Sequence, residues 1–356
     1  MRVITIVGAR PQFIKAAPVS RVLRQQHTEV LIHTGQHYDP DMSDIFFQEL
    51  DIPKPDINLG VGALTNLEQV AQMILALQPI VLNTQPDYLL IYGDTNSTLA
   101  GAFVGRALNV PVAHVEAGLR SYNRAMPEEN NRVLADHIST LLFCPTPVAV
   151  NNLAREGIIE GVHIVGDVMI DALMQNRGRT TNRMLNDIGV TAGNYFLATV
   201  HRPANTDSAA PLTGIFAAFA TLDFPVVLPA HPRLRKSLER FAISIPANVQ
   251  LIPPVGYLDM LSLSQSARVI LTDSGGLQKE AYVLGVPCVT MRTETEWTET
   301  IDSGWNRIVG ADTDAIRAGV EAALSALPAE HPQIYGDGKA SEQIVSLLQS
   351  QDKHAL

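Results

Sequence analysis

Short apolar runs alternate with amphipathic stretches of helical length along almost the whole chain. Val3–Val7, Val30–Thr34, Tyr88–Tyr92, Val112–Val115, Leu141–Cys144 and His163–Val165 read as strands, apolar on both faces as in a parallel sheet covered by helices. The segment Val168 to Gly193 is poorer in strand signal and rich in Asn, Arg, Thr and Gly. A second series then begins with Tyr195–Val200 and continues through Val226–Leu228, Val249–Ile252, Val269–Thr272, Cys288–Met291 and Arg307–Val309. Two successive alternations of strand and helix predict an α/β protein of two doubly wound, Rossmann-like domains, spanning 1–168 and 169–335. The Ala/Pro/His-rich stretch Ala326–Pro332 reads as a hinge before a last helix, Ala340–Leu348, within 336–356. The pattern alone leaves open which domain that helix packs on.

Composition narrows what such domains do. At 356 residues the chain exceeds what one hydrophobic core usually supports, and 46% apolar residues are enough for two. Charged residues make up 17%, below the usual level of about a quarter. The net charge of −10 is spread without acidic or basic blocks, which argues against a nucleic-acid surface. A polyphosphate ligand would therefore need local cations and helix N-termini, because the long-range field repels it. The two cysteines, Cys144 and Cys288, sit beside prolines at the edges of apolar runs. They read as buried free thiols without metal-site spacing, which suits a reducing compartment. The first apolar run is too short for a signal peptide and no stretch approaches a membrane span, so the expected location is the cytoplasm, with no membrane partner.

Ligands of open parallel sheets bind beyond the carboxyl ends of the strands, and those positions are polar here. After the first strand, Gly8-Ala9-Arg10-Pro11-Gln12-Phe13-Ile14-Lys15 lacks the spaced glycines of a dinucleotide fingerprint, which disfavours a nicotinamide or flavin enzyme. Arg10 and Lys15 are placed to reach an anion attracted by the helix terminus; ordinary surface cations are the plainer alternative. Asp94 follows the third strand as a candidate acid or a simple N-cap, and Glu116 follows the fourth within His114-Val115-Glu116-Ala117-Gly118-Leu119-Arg120. Pro127-Glu128-Glu129-Asn130-Asn131-Arg132 puts carboxylates in the first turn of a helix opened by proline, an arrangement that needs no function. Asp94, Glu116 and Glu128 clustered in one crevice would be suited to divide acid and base roles.

The second half supplies His201-Arg202 and His231-Pro232-Arg233, each an imidazole near a guanidinium after a strand. Thr272-Asp273-Ser274-Gly275-Gly276 then opens a helix where bare backbone N–H groups can approach phosphate, with Glu280 about one and a half turns on, within reach of a ribose diol. A plain Ser-capped helix is the alternative, although two glycines in a first turn are locally costly.

Taken in order, Gly8-Ala9-Arg10-Pro11 with Lys15, Thr34-Gly35-Gln36-His37, Gly93-Asp94-Thr95, Val115 to Arg120, Pro127-Glu128-Glu129-Asn130 with Arg132, His201-Arg202 and Thr272 to Gly276 resemble the bacterial non-hydrolysing UDP-N-acetylglucosamine 2-epimerases, from residue 1 to about 310. The resemblance implies the GT-B architecture, two Rossmann-like domains around a cleft, with the last helix crossing back to the first domain. It makes Asp94, Glu116, Glu128 and His201 the catalytic candidates and Arg10, Lys15, Ser274, Gly275, Gly276 and Glu280 the nucleotide grip, with Tyr257, Arg202, Arg132 and Trp297 as further ligand contacts. The implied chemistry is anti elimination of UDP to a 2-acetamidoglucal and syn re-addition, with no redox cofactor and no metal. A homodimer and a role in surface polysaccharide or O-antigen precursor synthesis are implied by the resemblance alone.

The chain departs from the commonest family pattern at Pro203-Ala204, where many relatives have an Arg and then an acid, and at Trp297, where a frequent form has Arg. With the run His37-Tyr38-Asp39-Pro40-Asp41-Met42, these variants are similar to epimerases acting on UDP-2,3-diacetamido-2,3-dideoxyglucuronic acid, the second substrate expected. A GT-B glycosyltransferase and a silent nucleotide-sugar sensor are the readings from other classes. The transferase shares the Ser-Gly-Gly helix and Glu280 but has no need of the three acids.

Overall fold

A computed structural model describes residues 1–36, 53–62, 64–325 and 327–350, with the Arg10 side chain and the run His37 to Met42 outside the described part. Two compact units emerge, one formed by Met1–Gln175 with Ile334–Leu356 and the other by Asn176–Gln333.

The first unit is built on a parallel sheet of β1 (Arg2–Val7), β2 (Thr28–His33), β3 (Ile57–Asn58), β4 (Tyr88–Tyr92), β5 (Val112–Val115), β6 (Leu141–Cys144) and β7 (Val162–Ile164), in the order β3-β2-β1-β4-β5-β6-β7. Alternate side chains explain why these runs are strands buried on both faces. Ile4, Ile6, Ile32, Leu89, Ile91 and Val112 pack with Met73, Leu77 and Val81 of the helix Asn66–Thr84 and with Ala100, Ala102 and Val104 of the helix Asn96–Ala107. Thr5, one residue out of phase with Ile4 and Ile6, donates its hydroxyl to buried Glu29 at 2.6 Å.

The second unit repeats the plan with β8 (Phe196–Thr199), β9 (Val226–Pro229), β10 (Val249–Ile252), β11 (Val269–Thr272), β12 (Cys288–Thr290) and β13 (Asn306–Ile308), ordered β10-β9-β8-β11-β12-β13 and parallel throughout. Phe196, Ala198, Val226, Leu228, Val269 and Leu271 face Leu212, Ile215, Phe216, Ile316 and Val320. Leu197, Val227, Ile270 and Cys288 turn to the opposite core with Leu263, Leu277 and Ala281. Two Rossmann-like sheets in sequence are the domain content of the GT-B architecture. In each unit the strand order reverses once, between β1 and β4 and between β8 and β11, and such switch points open a crevice at the strand carboxyl ends.

All twelve strand runs read from the sequence appear; the two-residue β3 has no run to announce it. The first unit extends beyond the boundary drawn at 168, because the helix Val168–Arg177 buries Val168, Ile170 and Leu173 and carries Asp171. That carboxylate is buried and accepts hydrogen bonds from the backbone N–H groups of Ala340 (3.1 Å) and Ser341 (2.7 Å) and from the Ser341 hydroxyl (2.6 Å), which caps the last helix, Ala340–Ser350. Cys144 and Cys288 are buried free thiols, both pushed up to about 12, chiefly by burial. Among the described residues no helix is long and apolar enough to cross a membrane.

Asp171→Ala should strip the final helix of its cap and lower unfolding stability by about 2 kcal/mol. Thermal unfolding with limited proteolysis checks this, the cut being expected ahead of Ala340; an unchanged melting temperature and digest would refute it.

Candidate active site

At the switch point of the first sheet, Gly8 leaves β1 and Gly93 leaves β4. Gln12 ties the two turns: its side-chain carbonyl accepts from the N–H groups of Gly8 (2.7 Å) and Ala9 (3.0 Å), and its amide donates to Tyr92 O (2.7 Å) and Thr98 Oγ1 (3.1 Å). Gly8 is there for space, since a Cβ would sit 2.0 Å from Ser97 Oγ and 2.2 Å from Thr34 Oγ1. Glu116, just beyond β5, adopts a left-handed backbone at φ 69°, a cost of about 1 kcal/mol or more that only a constrained turn sustains. Its carboxylate forms a buried ion pair with Lys15. Asp94, 30% exposed, pairs with Arg132 from the helix Pro127–Ile138. Arg132 also donates to Glu129 at 3.0 Å, and Glu129 accepts from Ser121 N (2.9 Å), Ser121 Oγ (2.9 Å) and Tyr122 N (2.8 Å).

Behind these groups lies a second cluster, buried except at Glu156. His114 Nδ1 is 2.7 Å from Asp136 Oδ1 and its Nε2 is 2.7 Å from Gly93 O. Asp136 also accepts from Gly118 N (3.1 Å) and Arg120 Nη1 (2.7 Å), and Arg120 makes a bidentate pair with Glu156 at 2.7 and 2.8 Å. Burial pushes the Asp136 carboxyl up, but the bond to His114 and the charges of His114 and Arg120 outweigh it and hold the group below the usual carboxylate range.

The second switch point has the same logic in other residues. Asp273, fully buried after β11, accepts from His201 N (3.1 and 3.0 Å), Arg202 N (2.9 Å) and Asn205 Nδ2 (3.0 Å), and its Oδ1 lies 2.9 Å from His201 Nδ1. Burial again opposes ionisation, yet the imidazole and the backbone donors lower this carboxyl overall. The His201 side chain is 46% exposed, so the ring is fixed at Nδ1 while its outer edge meets solvent. Beside it the helix Gly275–Leu284 starts at Ser274, whose side chain makes no capping bond. A Cβ on Gly275 would lie 2.5 Å from Glu296 Oε1 and 3.3 Å from Trp297 Nε1.

Residues 21–349 match the family model described as UDP-N-acetylglucosamine 2-epimerase. The chain belongs to that family. It is 48% identical to a UDP-N-acetylglucosamine 2-epimerase homolog of Methanococcus maripaludis, over 98% of this chain and all of the relative. It is 46% identical to the UDP-2,3-diacetamido-2,3-dideoxy-D-glucuronate 2-epimerase of Pseudomonas aeruginosa, over 98% of this chain and 99% of the relative. The crystal structure of the Methanocaldococcus jannaschii UDP-GlcNAc 2-epimerase in complex with UDP-GlcNAc and UDP superposes with a TM-score of 0.92 at 41% identity, covering 99% of this chain and all of that one. A calicheamicin glycosyltransferase, at 14% identity and a TM-score of 0.51, shares the fold alone.

Within this epimerase-family chain the structure rearranges several sequence expectations. Glu116 meets Lys15 and Asp94 meets Arg132, so two residues read as ligand contacts also hold carboxylates. Asp94 is not the N-cap, since Thr95 fills that role with its hydroxyl on Thr98 N. Glu128 is exposed on the first turn of its helix, and it is the neighbouring Glu129 that is buried. Arg233 pairs with Asp207 at 2.6 Å. Trp297 is 3% exposed and its ring lies 3.8 Å from Lys279 Nζ, so it is packed beneath the helix start. Glu280 and Tyr257 are both buried, and burial together with the Glu280 charge pushes the Tyr257 phenol well up. Arg202 lends its backbone N–H to Asp273, and Gly276 is the second residue of the helix. Sequence reasoning missed His114, Asp136 and Asp273 as organisers; for His114 and Asp273 the available signal was an ionisable residue inside or just after an apolar strand, and Asp136, inside a helix, gave none.

The lowered carboxyls have a consequence with a definite sign. Because Asp136 and Asp273 bind protons less readily folded than unfolded, their stabilisation is present above the unfolded carboxyl pKa and is lost as pH falls through the folded one. Asp273→Asn should therefore be less stable than the parent near neutrality but lose less further stability between about pH 5 and about pH 3. Melting curves across that range check it, and parallel curves would contradict it.

Proposed function

We propose that the chain epimerises C2 of a UDP-linked 2-acetamido sugar, interconverting UDP-N-acetylglucosamine and UDP-N-acetylmannosamine. The observation that carries this is His201, anchored through Nδ1 by buried Asp273 and open at its outer edge beside a helix that starts with Ser274-Gly275-Gly276. Such a group can give a proton or a hydrogen bond to a departing diphosphate while backbone N–H groups hold the phosphate oxygens. The C2 proton has no adjacent carbonyl to acidify it, so departure of UDP with the C1–O electron pair leads. A carboxylate then takes the C2 proton as the C1=C2 bond forms, and UDP returns to C1 as a proton arrives on the opposite face of C2. Asp94, Glu116 and Glu128 share these transfers, Lys15 and Arg132 hold the first two in place, and Arg10, Ser274, Gly275, Gly276 and Glu280 hold the nucleotide. The reaction needs no cofactor.

A second substrate, the UDP-2,3-diacetamido-2,3-dideoxyglucuronate, is favoured by the Pseudomonas aeruginosa relative and by the buried Trp297, where the resemblance expects an Arg. The two free, buried cysteines support a cytoplasmic location. A homodimer is supported by apolar exposure on the helix layer of the first unit: Leu67, Leu75 and Leu82 lie on one side of the helix Asn66–Thr84 at 80, 69 and 55% exposure, with Phe103 at 54% on the next helix.

Proton NMR in deuterated water should show C2 inversion of UDP-N-acetylglucosamine with deuterium at C2 and little net free UDP. An inert C2 with both sugars would remove the epimerase reading, and turnover of the uronate alone would move the substrate. Asp94→Asn should cut turnover by about 100-fold or more with UDP affinity nearly unchanged. Phe103→Glu should shift the sedimentation coefficient toward the monomer; an unaltered value would place any dimer elsewhere.

A further inference from the structure

We propose that His114 is a positioning residue: a buried imidazolium that donates from both ring nitrogens and thereby fixes the turn on which Asp94 and Glu116 are mounted. The argument is one of donor counting. Nδ1 faces a carboxylate oxygen of Asp136 and Nε2 faces the carbonyl oxygen of Gly93, each at 2.7 Å. A carbonyl has no proton to give, and Asp136 is ionised, since the adjacent Arg120 guanidinium and the N–H of Gly118 hold its carboxyl below the usual carboxylate range. A neutral imidazole carries one N–H, so it would leave two acceptors 2.7 Å apart in a place where the ring is fully buried and water does not intervene. Only the doubly protonated ring satisfies both contacts. The charges around it suit that state: Asp136 against the ring, Arg120 on the far side of Asp136 and itself neutralised by Glu156, and a neutral Cys144 thiol pushed up to about 12.

What the ring holds decides its role. Gly93 has φ 62°, and its N–H donates to Val115 O at 3.0 Å while its carbonyl accepts from His114, so β5 grips this residue from both sides. Asp94 is the next residue in the chain, and Glu116 is the next after Val115. The space where a Cβ of Gly93 would project lies 3.3 Å from both Glu116 Oε2 and Lys15 Nζ, so a shift of this turn moves against the Lys15–Glu116 pair directly. Asp136 in turn sits on the helix that carries Arg132, the partner of Asp94. His114 thus registers three segments, the β4 turn, the end of β5 and the helix Pro127–Ile138, without meeting the solvent-facing side of the site.

The catalytic half of this inference rests on the proposed epimerase reaction, whereas the protonation half does not. Nitrogen-15 NMR of the full chain with labelled histidine, without substrate, should show two hydrogen-bonded, slowly exchanging ring N–H groups on His114 at neutral pH, assigned by their loss in His114→Gln or, if that variant does not fold, by through-bond correlation to the neighbouring backbone. One ring proton would overturn the proposal. In Asp136→Asn the ring should drop to a single proton, kept on Nε2 for Gly93. Turnover should then follow the Gly93 bond: His114→Gln is expected to lose about 100-fold in kcat with KM and UDP affinity within about twofold, and Asp136→Asn to lose less. A folded His114→Gln with parental kcat would refute the positioning role. If the parent protein itself epimerises neither sugar, the reaction reading falls, and the ring spectrum still decides the imidazolium.

Discussion

Burying a carboxylate is costly unless donors surround it, and both strand-end clusters are organised around one that is buried. Asp273 gathers the backbone of His201 and Arg202, the Asn205 amide and the His201 ring; Asp136 gathers Gly118 N, Arg120 and His114. Each loop can relax only by leaving a buried charge with fewer donors, which typically costs several kcal/mol. The loops after parallel strands, ordinarily the mobile part of such a sheet, are thereby tied to the rigid core, and Asp94, Glu116 and His201 are carried on them.

The two carboxylates use their imidazoles differently because burial differs. His201 is half-exposed, so Asp273 orients a ring whose outer edge remains open to solvent. His114 is enclosed, so both of its nitrogens are spent within the protein. Lys15 and Arg132 extend this scheme to Glu116 and Asp94, each cation paired with one acid at the end of the first sheet.

The frame of this protein was legible because parallel strands covered on both faces have to be short and apolar, as Tyr88–Tyr92 and Val269–Thr272 are. Ile57–Asn58 was not, because two residues carry no periodicity. Positions at strand ends, Asp94, Glu116, His201 and Ser274, could be found from topology alone. Their partners could not: Asp136 lies inside an amphipathic helix, and nothing in local spacing distinguishes a buried acid there from the exposed Glu128 or Asn130. The same limit explains why the partners of Lys15 and Trp297 could not be read. Charge and aromaticity are visible in sequence, but which neighbour absorbs them depends on contacts across the fold.

The two glycines at the start of the helix after β11 show how such a contact resolves a local anomaly. Helix propensity argues against Gly275-Gly276, at a cost of about 1 kcal/mol each relative to alanine. At Gly275 the reason is crowding from the loop that follows β12: Glu296 reaches to 2.5 Å from the missing Cβ, held there by Arg292 at 3.1 Å, and the Trp297 indole stands at 3.3 Å. That indole is fixed in turn by the buried ammonium of Lys279, one turn further along the same helix, 3.8 Å from the ring centre. Helix and loop are therefore clasped at two points, and a side chain at 275 would have to displace the Glu296 carboxylate and press on the Trp297 indole. The glycine thus gives up helix stability to keep the loop seated against the helix start.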